Sequence, residues 1–294
     1  MASQLNIPGR PLSYGHAVLI GLAASLVWAY WVTFGRLIQT WARDPQYSHG
    51  YLVPVFAAVL LWLRRERLKG ASFRFSWQGL PLLAAAALLR LAGAYWFISW
   101  LDTASLLVCL AGITVVLGGW PALRWAWPAI GFLGFMLPLP YQLQVALGQP
   151  LQRIATVSST YILQTLGLPA IAEGNVIQMG ELRIGIVEAC NGLSMLVIFF
   201  AISTAVAMLV QRPKWEKAVI VASAIPIAVL ANIVRIVATA LLNELAGGGV
   251  AHAVFHDWSG WLMMSLALGI LWGEMALLSC LLITRETSEP LAID

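Results

Sequence analysis

The segment GIVEACNGLSMLVIFF (185–200) sets Cys190 between Glu188 and an Asn-Gly pair, at the point where an apolar helix is predicted to begin. A thiol at a helix N-terminus meets unpaired backbone N–H groups and aligned peptide dipoles, which favour the thiolate and make it a better nucleophile. Asn191 can cap that helix through its side chain, and Gly192 lets another backbone approach closely. Glu188 works against this, because a nearby carboxylate raises a thiol pKa unless it is turned aside. The same setting also suits an inert, partly buried cysteine, and position alone does not choose between the two. Cys109 and Cys280 lie inside apolar runs and read as small packing residues. Three scattered cysteines form neither a disulfide framework nor a CxxC metal site.

Two further groups bear on the choice. In PIAVLANIVRIVATALL (226–242), Arg235 falls inside an apolar helix. A guanidinium is costly in lipid and marks a functional site or a structural ion pair. The helix starts near residue 218, which puts Arg235 about 25 Å along it at 1.5 Å per residue, in the outer third of a membrane. Asn232 is three residues earlier, on the same helix face. The third group is HAVFHDWSGW (252–261), just before the last apolar run. His256 adjoins a helix start and suits the base for a thiol or the acid for a leaving amine. His252, one turn earlier, and Asp257 offer a metal pair instead, but no further ligands stand nearby, so no metal is expected. A solvated loop histidine is the third reading. The combination is stronger than its parts: Cys190, Arg235 and His256 come from three different spans and project to one level on one side.

The elements that must hold them are set by composition. The chain has 294 residues, 60% hydrophobic and 10% charged, with mean hydropathy +0.82. Soluble domains carry about 25% charged residues, so an all-α polytopic membrane protein is expected. Apolar runs mark eight spans at roughly 16–35, 50–63, 79–98, 104–118, 126–140, 192–210, 218–243 and 261–284, several of them short of the ~20 residues that a crossing takes. The first run follows a polar stretch and leads into further spans, so it reads as an anchor that stays. RRERLK (64–69), LRW (123–125), QRPKWEK (211–217), Arg10 and the C-terminal tail share one side under the positive-inside rule. Both termini are therefore expected in the cytoplasm. The net charge of +4 reads as a topology signal, not a nucleic-acid surface. The opposite loops carry Asp44, Asp102, Glu173, Glu181, Glu188, Glu244 and Asp257.

Residues 141–191 form the one sizeable extramembrane segment of what reads as a single domain, 1–294. Leu143, Leu147, Leu151, Ile154, Val157 and Tyr161 recur at helical spacing, predicting an amphipathic helix at the outer interface or capping the bundle. NVIQM, Gly180-Glu181 and LRIGIV predict a β-hairpin, Gly-X suiting a type II′ turn. Its second strand leads straight into Glu188-Ala189-Cys190.

EACNG (188–192), NIVRI (232–236) and His256-Asp-Trp-Ser-Gly260 resemble, in the same order, the cysteine, arginine and HxxxG histidine motifs of the exosortase/archaeosortase family of integral-membrane cysteine transpeptidases. YSHGYLVP (47–54) resembles that family's N-terminal signature. The resemblance covers nearly the whole chain, and is to bacterial members without a fused C-terminal domain. Asn191 stands where many relatives carry serine. The resemblance implies an inner-membrane thiol protease that cleaves C-terminal sorting signals of exported proteins: a Pro-Glu-Pro-like motif, a transmembrane helix and a basic tail. It implies Cys190 as nucleophile, His256 as general acid/base, and Arg235 as oxyanion stabiliser or thiolate partner, facing the periplasm. Glu188, Asn191, Asn232, His49 and Asp257 are expected to support the site or substrate. The partners are then exported proteins and membrane lipid, with an acceptor the sequence does not name, no nucleic acid and no cofactor.

Other classes stay open on the residues alone. A transporter or an assembly subunit for exported polysaccharide also places charges within the membrane, though near its midplane and in broken helices. A membrane acyltransferase would use the same cysteine on lipid. Arg90 and Glu274, each mid-span, are expected to pair with one another. His49 reads as an entrance residue or an exposed loop histidine.

Overall fold

The computed structural model describes residues 12–68, 74–180, 182–185, 192–210, 212–246 and 259–281. Among them the chain is α-helical apart from one small sheet. In chain order the helices are α1 (Leu12–Ala29), α2 (Trp31–Arg43), α3 (Leu52–Leu63), α4 (Leu80–Tyr95), α5 (Ser99–Phe132), α6 (Tyr141–Thr165), α7 (Gly192–Leu209), α8 (Lys214–Ala246) and α9 (Ser259–Leu281). Four described helices are long and apolar enough to cross a membrane, or five if α1 and α2 count as one bent span. With the apolar composition, this makes the chain an integral membrane protein. The eight crossings read from the sequence exceed what helix length and composition support here.

Two of the differences have clear physical causes. The first apolar run, read as one span to residue 35, breaks at Tyr30, where α2 turns by 68° from α1. Along WVTFGRLIQTWAR only Thr33, Leu37 and Trp41 are buried, one per turn. So narrow a buried stripe, with Arg36, Gln39 and Arg43 among the rest, sets α2 apart from a straight continuation of the α1 span. The other difference is LRW (123–125), read as a loop, which is helical. The fourth and fifth runs join in α5, whose 34 residues would extend about 51 Å if straight.

They are not straight. Gly119 sits at φ 71°, ψ −170° inside α5, a left-handed φ that glycine adopts without a Cβ penalty. Pro121 then starts the second leg, where its missing N–H costs nothing. The contacts show a reversal. Ser76 N donates to Val116 O at 3.0 Å and Trp125 Nε1 to Arg64 O at 2.9 Å, both at the end carrying the α3–α4 connection. At the other end, Arg90 meets Asp102 and Trp41 Nε1 donates to Met136 O at 3.1 Å. The two legs of α5 thus run back to back between the same two levels, linked by a single residue.

The expected pairing of Arg90 with Glu274 is overturned. Arg90 Nε lies 3.4 Å from Asp102 Oδ1, and its guanidinium rests 4.6 Å above the Tyr30 ring. Glu274 on α9 accepts Ser223 Oγ of α8 at 2.6 Å. Each charge is met by the helix beside it, α5 for α4 and α8 for α9.

The predicted hairpin is present and longer by a strand. β1 (Ala170–Glu173), β2 (Val176–Met179) and β3 (Leu182–Gly185) form an antiparallel meander. Met179 faces Leu182 across Gly180, whose φ of 56° fits the first position of a tight primed turn. Glu173 faces Val176 across Gly174-Asn175 in the same way. β1 escaped prediction because AIAE lacks β-branched alternation. The Gly-Asn pair was the signal that marks it. Ile177, Met179 and Ala170 pack on Ala155 and Leu163 of α6 and on Ile236 and Ala240 of α8. The sheet therefore seats on one end of the bundle, here termed the sheet end.

Candidate functional site

Small side chains let α7, α8 and α9 pack closely. Ala224, Ala228 and Ala231 line α8 at helical spacing and are buried against Met195, Phe199 and Ala207 of α7 and Leu271 of α9, the pattern of helix association in lipid. Ser223 bonded to Glu274 fixes the register of α8 against α9. Since the helices are antiparallel, fifteen positions further along each places Ser259 level with residue 238, about 22 Å from that anchor. The start of α9 is therefore at the level of Arg235, at the sheet end.

α7 begins there as well. A Cβ on Gly192 would stand 3.1 Å from Asn232 Nδ2 and 3.9 Å from Leu151 Cβ of α6. A side chain here would press on the Asn232 amide, which would have to give by a few tenths of an ångström. Asn232 is 2% exposed, and its Oδ1 has no hydrogen-bond partner among the described residues. A buried carbonyl oxygen left unpaired costs about 1–3 kcal/mol. Arg235, one turn on, is partly buried, and its carbonyl accepts Thr239 Oγ1 at 2.7 Å.

Of the site residues expected from sequence, the structure thus brings Asn232 of α8 to the start of α7, with Arg235 one turn further along α8. Glu188, Cys190, Asn191, His256 and Asp257 lie outside the described residues. His49 is described, and it is not an exposed loop residue. It belongs to a 3-10 turn (Pro45–Tyr51) that packs against α7 and against a second such turn, Leu133–Met136. Its Nε2 donates to Phe135 O at 3.1 Å. Burial lowers its pKa from the ordinary 6.5, the Phe135 carbonyl partly offsetting this. Tyr47 is 3% exposed, and its hydroxyl accepts Leu139 N at 3.2 Å and Gln46 Nε2 at 3.1 Å. The YSHGYLVP segment is therefore a clasp on the second leg of α5 and the chain leaving it.

α6 completes the surroundings, oriented unlike a cap that turns its apolar side to the bundle. Its buried face is small and polar: Gly148, Ala155, Thr156, Ser159, Thr160 and Leu163. Of the stripe read from the sequence, Leu143, Leu147, Ile154, Val157 and Tyr161 point outward and are 43–68% exposed, while Leu151 is half-buried toward Gly192. Gln152, on the inward side, accepts Asn175 Nδ2 of the β1–β2 turn at 2.8 Å. Sequence reading missed this polar face, although Gln152, Thr156, Ser159 and Thr160 repeat at helical spacing. Among the described residues no group of three His, Cys, Asp or Glu side chains could hold a metal ion.

A multi-span α-helical membrane protein, with buried polar groups gathered where helix starts and a small sheet meet at one end, is the class that fold and site define. The family model of the transmembrane exosortases matches residues 41–273, and the chain belongs to that family. No curated protein and no solved structure matches it.

Proposed function

We propose that this exosortase-family protein is a membrane-embedded thiol protease or transpeptidase. It cleaves C-terminal sorting signals of exported proteins, a Pro-Glu-Pro-type motif followed by a transmembrane helix, at the outer face of the inner membrane. Cys190 attacks the scissile carbonyl and forms a thioester, expelling the C-terminal fragment as an amine. His256 takes the thiol proton and delivers it to that amine. Arg235 stabilises the oxyanion or holds the thiolate. Water or an acceptor nucleophile then resolves the thioester. Glu188, Asn191, Asn232 and Asp257 support these groups.

The observation that carries this reading is the level shared by the first turn of α7, the Asn232–Arg235 turn of α8 and the start of α9. Cys190 precedes Gly192 by two residues, which reach at most about 7 Å. His256 precedes Ser259 by three, reaching about 11 Å. Both tethers are short enough to bring thiol and imidazole to the Arg235 turn. A substrate anchored by its own helix presents its bond at a fixed depth, which raises effective concentration at such a site.

The sheet end is then periplasmic. Arg64, Arg65, Arg74, Arg124, Arg212, Lys214 and Lys217 all lie at the opposite end, in its connections or in the helix turns beside them, as the positive-inside rule asks of a cytoplasmic face. Counting the two legs of α5 separately, and adding α3 and α9, eight crossings with both termini in the cytoplasm fit that orientation.

The test is co-expression with a candidate substrate in cells carrying wild type, Cys190→Ala, Arg235→Ala or His256→Ala, with processing followed by mobility shift. Each variant is expected to lose processing by 100-fold or more, about 2.7 kcal/mol or above. Wild-type processing in Cys190→Ala would sink the enzyme reading.

A further inference from the structure

The sheet end holds a second opening, independent of the reading above. A cavity of about 360 Å³ lies between α2, the α4–α5 connection and the start of α6, lined by Arg36, Thr40, Phe97, Trp100, Thr103 and Tyr141 among others. Its charge is unbalanced. Arg36 and Arg90 share one carboxylate, Asp102, whose Oδ1 stands 3.4 Å from Arg90 Nε while Oδ2 accepts Thr33 Oγ1 at 2.7 Å. Arg36 Nη1 is left at 3.8 Å, with its side chain 58% exposed. Arg90 is held over the Tyr30 ring, so the surplus positive charge belongs to the groove.

The rim places that charge at a particular depth. Tyr95, Trp96, Phe97 and Trp100 are exposed in succession around it, and such aromatics sit at the boundary between hydrocarbon and headgroups. Trp31, Val32 and Ile38 of α2 are exposed beside Arg36, on a helix bent 68° away from the span before it, as for helices lying in the interface plane.

We propose that this groove binds the phosphate of an anionic phospholipid headgroup, Arg36 supplying its fork of N–H donors and the aromatic rim holding the glycerol and upper acyl region. An extended peptide is the poorer fit. It needs backbone partners, and the Thr40 and Thr103 hydroxyls already donate to their own helix, to Arg36 O at 3.0 Å and Trp100 O at 2.9 Å.

The experiment reconstitutes the full chain in nanodiscs of phosphatidylcholine doped with phosphatidylglycerol and counts retained lipid by native mass spectrometry. Wild type is expected to retain phosphatidylglycerol in preference, Arg36→Gln to lose about fivefold of that preference, and Arg43→Gln, outside the groove, to leave it unchanged. Arg36→Lys keeps charge without the fork and is expected in between; it and Tyr141→Ala carry the test if Arg36→Gln does not fold. Equal retention in wild type and every groove variant overturns the proposal. So does equal retention of the two lipids, full competition by millimolar inorganic phosphate, or displacement by an acidic peptide.

Discussion

At the scale of single residues, Asn232 is the most informative position described. A buried amide with an unpaired oxygen is a stability cost that an apolar side chain of similar volume removes. Asn232→Leu is therefore expected to keep or slightly raise the melting temperature in detergent while lowering substrate processing by at least tenfold. A melting temperature that falls by several degrees would make the residue a structural support instead. His49 offers a pH-dependent readout. Burial lowers its pKa from 6.5, so the neutral form is favoured in the folded protein. That contribution is complete above about pH 6.5 and is lost as pH falls through the lower folded value. Thermal stability is expected to decline on acidification over this window, and His49→Gln to flatten the decline. Arg235 stood out in the sequence because a guanidinium is rare in an apolar run, and Cys190 and His256 because each stands at a predicted helix start. The orphaned Asn232 oxygen did not, since burial and partners belong to packing between α7 and α8.

At the scale of elements, the sequence told more about where helices run than about where they turn. The hairpin was legible because Gly-X pairs between alternating residues carry their own geometry. Gly118-Gly119-Trp-Pro held the corresponding signal for α5, but basic LRW nearby drew the expected loop a few residues too far along. Glycine at φ 71° makes a specific expectation. Gly119→Val is expected to destabilise by about 1–2 kcal/mol through left-handed strain, whereas Gly131→Ala, at a position of ordinary helical φ with nothing closer than 4.0 Å, should cost nothing. Paired thermal melts of the two variants check it, and equal values would remove the reversal's dependence on glycine. α6 shows the opposite failure. Its periodicity was legible and the choice between interface and cap was not, because an apolar stripe in a membrane protein can look outward to lipid as readily as inward.

For the whole molecule, the orientation proposed above makes a direct prediction. Single-cysteine labelling on a background of Cys109→Ala, Cys190→Ala and Cys280→Ala is expected to place positions 66, 124 and 214 on the cytoplasmic side and 174 on the other. Periplasmic labelling at 124 would contradict both the reversal in α5 and the eight-crossing count. The class of protein was legible from composition. The number of crossings is less legible, because α3 has 12 residues, about 18 Å, and α1 and α2 form a bent pair.

The one-residue link in α5 also bears on biosynthesis. On the proposed eight crossings, a hairpin whose legs share Gly119 has no slack connector for one arm to enter the bilayer before the other. The two arms are then expected to leave the insertion machinery together. A soluble tag spliced after residue 119 should consequently block membrane assembly, whereas the same tag after Lys69 should pass.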